Sequence, residues 1–219
     1  TAETGGSERV RIDSNGKILA GTTNSRNVAG GAAKLQIEAT SSEGMSLIRT
    51  SADSGAVYLS LGKTRNGSAC QAGDKLGYIS WNADDGTDLN HASAEIYTEV
   101  ATGIGGNDVP GDLIFSTNGG TTTTTERLRI SSLATFDFTN GALIEKVAIT
   151  AGKLSDNTNI NLGDGMVHYF TTQESTTSTP NIRLSSSGTL NGMMTAGDVV
   201  TVTLVTTAAA GGYSANVTI

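Results

Sequence analysis

A single cysteine and two prolines in 219 residues, together with sparse charge, rule out several kinds of protein at once. Cys70 has no partner for an intrachain disulfide and cannot nucleate a cysteine-based metal cluster. Charged residues make up 16% and hydrophobic residues 37%, both below the usual globular shares, so little core is available per residue. The 14 lysines and arginines are scattered through a chain of net charge −7. Nucleic-acid binding normally needs a basic stripe, so none is expected. No apolar run approaches 18 residues, and no membrane insertion is expected. No basic-then-apolar leader precedes the first motif, and the sequence reads as a piece of a longer or processed chain.

What is present is glycine, threonine, serine and a repeated strand. Glu8-Arg9-Val10-Arg11-Ile12 returns as Glu126-Arg127-Leu128-Arg129-Ile130, and Gly5-Gly6 and Gly119-Gly120 stand upstream of the two copies. Apolar residues alternate with arginines at period two, which describes a strand with one buried face and one wet face. A short half-polar strand recurring far apart suggests a modular all-β chain built by stacking units. The alternation also argues against disorder. Thin cores joined by long turns depend on oligomerisation for stability.

Asp13-Ser14-Asn15-Gly16 predicts a tight hairpin turn of the primed type, with Lys17-Ile18-Leu19 returning as the partner strand. Residues 22–33 read as a glycine-rich linker. Further strands are predicted at Leu35/Ile37/Ala39, Val57/Leu59/Leu61, Gly77/Ile79/Trp81, Ala94/Ile96 opposite Glu95/Tyr97, Leu113-Ile114-Phe115 and Leu128/Ile130. Asn66-Gly67, Asp84-Asp85-Gly86, 103–106 and Pro110-Gly111 supply the turns between them. Thr121 to Thr125 fits either a strand extension or an exposed loop. Composition shifts near 133–141, so three segments are expected. Residues 1–33 are the end of a preceding repeat module and a linker, 34–141 a fibre-type β-repeat module, and 142–219 a small C-terminal β-sandwich. The fold class is therefore all-β, with intertwined or stacked short-strand modules before that sandwich. Its strands are expected at 144–150, 166–171, 181–184, 198–206 and 213–219. Val200/Val202/Leu204 against Val199/Thr201/Thr203/Val205 put apolar or β-branched residues on both faces and suggest burial between two layers or at a subunit interface, with Tyr213/Ala215/Val217/Ile219 beside them as a hairpin.

Chemistry-bearing patterns are thin. His91 and His168 lie in no ligand spacing and read as satisfied surface or interface histidines. Asp84, Asp85 and Asp88 around Gly86 miss the calcium-loop spacing and read as a solvated turn. Glu95 and Glu99 share a strand face and could serve a depolymerase as paired carboxylates, or stand as a charged edge that discourages mispairing. No Gly-x-Ser-x-Gly elbow and no phosphate loop occur. Trp81, Tyr78 and Tyr97 are the candidate surface-recognition residues, able to stack on sugars if exposed; packing in the core is the plainer account of them. The four repeat arginines, Arg9, Arg11, Arg127 and Arg129, are expected on the polar strand face, each within reach of a carboxylate across the strand or on a neighbouring subunit.

Two stretches carry a resemblance to a known family. The run Gly73-Asp74-Lys75-Leu76-Gly77-Tyr78-Ile79-Ser80-Trp81-Asn82-Ala83-Asp84-Asp85-Gly86-Thr87 resembles the repeat modules of tailed-bacteriophage tail fibres and related virion structural proteins. So does Pro110-Gly111-Asp112-Leu113-Ile114-Phe115 leading into Glu126-Arg127-Leu128-Arg129-Ile130-Ser131-Ser132. The sequence departs from that pattern at Leu133-Ala134, where the family carries a glycine, which fits a change of domain there. The part from Leu143 through Phe170 resembles the terminal β-domain of marine and cyanobacterial phage structural proteins. The resemblance implies a homotrimeric tail fibre or similar external appendage of the virion, without catalysis, cofactor or metal. Its partners would be its own copies, other virion proteins and a host-surface glycan or protein. A capsid-decorating or tail-associated β-protein is the alternative within that class. A carbohydrate-binding or depolymerase module using Trp81 and Tyr97, or Glu95 and Glu99, is the alternative outside it.

Overall fold

Both copies of the Glu-Arg-x-Arg-Ile motif form strands, and their local hydrogen bonding is the same. The computed structural model describes residues 1–42 and 44–208 and divides into two units, Thr1–Ala142 and Leu143–Ile219. The described residues are all-β, with no α-helix and three short 3-10 turns among them. The first unit holds a four-stranded sheet of β1 (Ala2–Thr4), β2 (Ser7–Ile12), β3 (Ile18–Ala20) and β4 (Leu35–Ile37). It also holds a five-stranded antiparallel sheet of β5 (Lys75–Asn82), β6 (Ala92–Val100), β7 (Gly111–Thr117), β8 (Thr125–Ile130) and β9 (Phe136–Asp137), in sequence order.

In β1–β2, Thr4 pairs with Ser7 and Ala2 with Val10, leaving Arg9 as an extra residue. In β7–β8, Thr117 pairs with Thr125 and Phe115 with Leu128, leaving Arg127 as the extra residue. Each motif therefore contains a β-bulge at its first arginine. The bulge explains a pairing that a regular strand forbids. Residues three apart normally face opposite sides, but the extra residue turns Glu8 toward Arg11 and Glu126 toward Arg129.

The turns that follow also match. Asp13 N–H donates to the Lys17 carbonyl and Gly16 N–H to the Asp13 carbonyl, while Asp13 Oδ1 accepts from Asn15 and Lys17 amides. In the second copy Ser131 N–H donates to Thr135 and Ala134 N–H to Ser131, with Ser131 Oγ accepting from the Leu133 and Thr135 amides. Only the fourth residue is left-handed in either turn: Gly16 at φ +69° and Ala134 at φ +61°. Two findings follow. The first turn is not the primed type expected from Asn15-Gly16, because Asn15 keeps a negative φ; it is a longer loop ending in a left-handed glycine. And the missing glycine at Ala134 leaves the turn itself unchanged.

Most expected strands in the first unit are present, with one exception. Val57, Leu59 and Leu61 belong to no strand ladder among the described residues, although Leu61 touches Gly77 of β5. The Thr121 to Thr125 run is loop up to Thr124, and β8 starts at Thr125. β1 was not visible in the sequence, being three polar or small residues that gain a ladder only from β2.

The second unit is layered but parallel. Strands β10 (Val147–Thr150), β11 (Asn159–Asn161), β12 (Val167–Glu174), β13 (Asn181–Arg183) and β14 (Thr203–Ala208) alternate between two sheets, β10-β12-β14 and β11-β13. Every pairing is parallel. Each strand of one sheet lies within the crossover between two strands of the other, so the chain winds as a coil and needs no crossover helix. Leu154, Ile160 and Phe170 form the core, with Ile182, Val202 and Leu204 packed against it. The strand around Val200 starts at Thr203, later than expected, and is not buried on both faces: Val199 is 90% exposed, and Thr201, Thr203 and Val205 are exposed. Only β12 pairs with it among the described residues, which leaves its outer side open. The hairpin expected with Tyr213/Ala215/Val217/Ile219 lies outside the described residues. His168 is buried rather than at the surface, because alternation in β12 sends it inward with Phe170; its Nε2 donates to the Gly165 carbonyl at 2.9 Å.

Glu174 ends β12 as a buried carboxylate. It accepts from Ser155 Oγ (2.7 Å), Ser155 N–H (2.9 Å), Ser175 N–H (2.9 Å) and Thr176 N–H (3.3 Å). These donors, the Ser155 hydroxyl first, hold its pKa well below the ordinary 4.5, at about 2.

Two predictions follow from these local geometries. Ala134→Gly relieves a left-handed alanine and stabilises the protein by about 0.5–1 kcal/mol, whereas Gly16→Ala destabilises it by about 1 kcal/mol, both read from urea unfolding. Because the folded-state value of Glu174 lies below its unfolded one, the stability it supplies is complete above about pH 4.5 and is lost as pH falls toward 2. Glu174→Gln therefore lowers the unfolding temperature at pH 7 and flattens its dependence on pH between 4.5 and 2.

Candidate interaction surface

The five-stranded sheet presents two chemically distinct faces. One face carries the cross-strand rows Ile79–Ile96–Phe115–Leu128 and Thr98–Leu113–Ile130–Phe136, with Gly77 beginning the second row and Trp81–Ala94 beside the first. This face is apolar and open: Ile79 and Trp81 are each 50% exposed and Phe136 68%. Leu61 comes down on it where a side chain at position 77 would stand, 2.6 Å from that Cβ position, which is why glycine occupies it.

The opposite face carries the row Tyr78–Tyr97–Ile114–Arg129 between Ser80–Glu95–Ser116–Glu126 and the Glu99–Asp112 pair. Ile114 is fully buried within its row. Arg129 gathers the carboxylates, with Nη1 at 2.6 Å from Asp112, Nη2 at 2.7 Å from Glu126 and Nη1 at 3.8 Å from Glu99. The Glu126 carboxyl is held below its ordinary pKa chiefly by the Arg129 hydrogen bond, and Asp112 first by the Ser132 amide and then by Arg129. Arg129 in turn is pushed up, mainly by Glu126, and stays charged. In the first repeat Arg11 pairs with Glu8 in the same way.

Arg9 and Arg127 behave differently from expectation. As bulge residues they reach hydroxyls instead of carboxylates: Arg9 Nε donates to Thr4 Oγ1 and Arg127 Nε to Thr117 Oγ1, each at 3.0 Å. The two threonines occupy equivalent register positions, so this contact is duplicated too.

The three aromatic candidates do not form one platform. Tyr78 and Tyr97 pair across β5 and β6 with ring centroids 4.7 Å apart and an interplanar angle of 25°. Lys75 Nζ sits 4.7 Å from the Tyr97 ring centre and 5.6 Å from that of Tyr78. Trp81, three residues along β5, falls on the apolar face. Packing in a core does not account for Tyr78 and Trp81, which are 41% and 50% exposed.

Glu95 and Glu99 do share a face, but each is engaged: Glu95 accepts from Thr124 Oγ1, and Glu99 lies beside Arg129. The acidic turn uses its carboxylates on backbone amides. Asp84 accepts from Gly86, Asp85 from Thr87 and Asp88, and Asp88 from Asn90. His91 Nδ1 lies 3.6 Å from Asp85 and joins Asp85 and Asp88, a grouping that the sequence spacing did not single out.

Sequence reasoning missed Asp74, which is buried and accepts from Lys63 Nζ (2.6 Å), Arg65 Nε (2.7 Å) and the Gln71 amide (2.9 Å). The signal was available: Gly73-Asp74 and Gly111-Asp112 stand at the starts of β5 and β7, and both aspartates anchor arginines.

No family model matches this sequence, and no curated protein matches it. Among solved structures, it is similar to the carboxy-terminal domain of the bacteriophage T5 L-shaped tail fibre, at TM-score 0.47 and 16% identity. The match covers 63% of this chain and 62% of that one, less than two thirds of the latter's length.

Arg129→Ala leaves Glu99, Asp112 and Glu126 facing one another without a counter-charge. It is expected to destabilise the protein by about 2–3 kcal/mol in denaturant unfolding, with Arg129→Lys recovering only part of the loss because a lysine cannot bridge two carboxylates as a fork.

Proposed function

We propose that this chain is a structural segment of a phage virion, a homotrimeric tail-fibre module without catalytic activity, located on an external appendage. The single observation that carries the reading is the open apolar face of the β5–β9 sheet, which the described residues, Leu61 over Gly77 aside, leave exposed at Ile79, Trp81 and Phe136. Nine buried hydrophobic residues stand against twenty-seven exposed large ones among the described residues, the reverse of a self-sufficient domain. A compact chain of this mass exposes about 9,400 Å², or about 11,000 Å² as two separate units. This chain exposes 14916 Å². A surplus of about 4,000 to 5,500 Å² over those compact references is on the scale of an obligate interface between copies.

The fibre reading draws further support from the duplicated closing strand, with its bulge, its ion pair and its turn repeated bond for bond. A catalytic group seldom needs to recur along a chain, whereas a stacking unit does. The apolar face, Trp81 included, packs against copies of itself. The opposite face, with the stacked Tyr78–Tyr97 pair under Lys75, faces outward and makes any contact with a host-surface glycan or protein. The other partners are neighbouring virion proteins.

Native mass measurement is expected to give three copies, and a stable monomer at micromolar concentration would overturn the reading. Phe115→Asp, in the middle of the apolar face, is expected to shift the population to monomer by at least about 100-fold in association constant, since an unpaired charge is buried in each copy.

A further inference from the structure

We infer that residues 44–62 are two strands lent to a neighbouring copy of this chain, hydrogen-bonding to that copy's backbone. The inference rests on the assembly proposed above and names the segment that is exchanged. Among the described residues, everything from 44 to 69 is exposed, and no residue from 44 to 62 belongs to a strand ladder. Yet the composition is that of a strand. Met45, Leu47 and Ile48 form one arm, and Val57, Tyr58, Leu59 and Leu61 the other, with Ile48 82% and Tyr58 80% exposed.

The bend between the arms is already satisfied within the chain. Arg49 Nη2 binds Asp53 Oδ2 at 2.6 Å, Arg49 Nη1 donates to the Gly55 carbonyl, and Asp53 Oδ1 accepts the Gly55 amide. So the turn is closed and its charges are paired, while the arms leave their amides and carbonyls to solvent. A backbone of that kind is a ready template for another chain. Monomeric proteins blunt such segments with lysine, glutamate or proline, and neither the first arm from Met45 to Ile48 nor the second from 56 to 61 contains any of them.

A second copy is the occupant that fits best. The second arm ends on the sheet's apolar face, where Leu61 covers Gly77, so its end is anchored at the surface through which copies are proposed to associate. Its side chains are apolar or small hydroxyls, matching the Ile79–Ile96–Phe115–Leu128 row it would extend and offering no charge for a dissimilar partner to read.

Hydrogen exchange on the purified full chain tests this, together with its native mass. In an assembled protein, amides of 56–62 are expected to exchange at least about 100-fold more slowly than an unstructured peptide. Tyr58 replaced by the photo-reactive benzoylphenylalanine, a similar shape at an exposed position, is expected to give covalent dimers on irradiation. A trimer in which 44–62 exchanges at peptide rates, or in which position 58 cross-links only within its own chain, overturns the inference and leaves the assembly standing. A monomer overturns both.

Discussion

An apolar sheet face has to be covered, and the first unit lacks the layer to cover it. Its five strands are well paired along their edges, so backbone hydrogen bonding is complete where ladders run. Side-chain burial is not: Phe115, Leu128 and Leu113 are only half buried, and Ile79, Trp81 and Phe136 are exposed. Hydrophobic burial scales with area removed from water, at about 25 cal/mol per Å². A sheet this open collects that stabilisation only when something lies on it. The proposed assembly, the arms at 44–62 without ladder bonds and the economy of charge on this face are all read from this one constraint.

The two faces of the sheet solve different problems. The polar face is finished within the chain: Arg129 bridges Asp112 and Glu126 beside Glu99, Lys75 lies over the tyrosine pair, and Asp74 ties Lys63 and Arg65 to the start of β5. Part of that neatness comes from the bulge. Without an extra residue at Arg127, Glu126 and Arg129 would face opposite sides and the acidic cluster would lose its counter-charge. The first repeat keeps the same bulge with a different hairpin loop upstream, two glycines instead of a longer threonine run. This separates what the module requires, the Glu–Arg pair and the closing turn, from what it tolerates.

The second unit reaches stability by another route. Its sheets are parallel and wound as a coil, so Leu154, Ile160 and Phe170 are buried between layers within one chain, and Glu174 closes the end of β12 against the turn at Ser155. It is less dependent on outside partners around that core, though Ile149 and Val205 remain open on the outer side of its larger sheet.

Period-two alternation alone determined the class and most strands, because it depends only on neighbouring residues: Gly77/Ile79/Trp81, Ile96, Phe115 and Leu128 were legible as one side of strands before any partner was known. The duplicated motif and the Asp13–Gly16 and Asn66-Gly67 turns were legible for the same local reason. What tertiary structure decided was everything that depends on pairing. The bulges at Arg9 and Arg127, the separation of Trp81 from Tyr78 and Tyr97 onto opposite faces, and the gathering of Glu99, Asp112 and Glu126 around Arg129 are matters of register. So is the parallel coil of the second unit, since alternation is identical in parallel and antiparallel strands. Residues 57–61 show the limit most plainly: the sequence specifies a strand, and a strand exists only where another backbone accepts its hydrogen bonds.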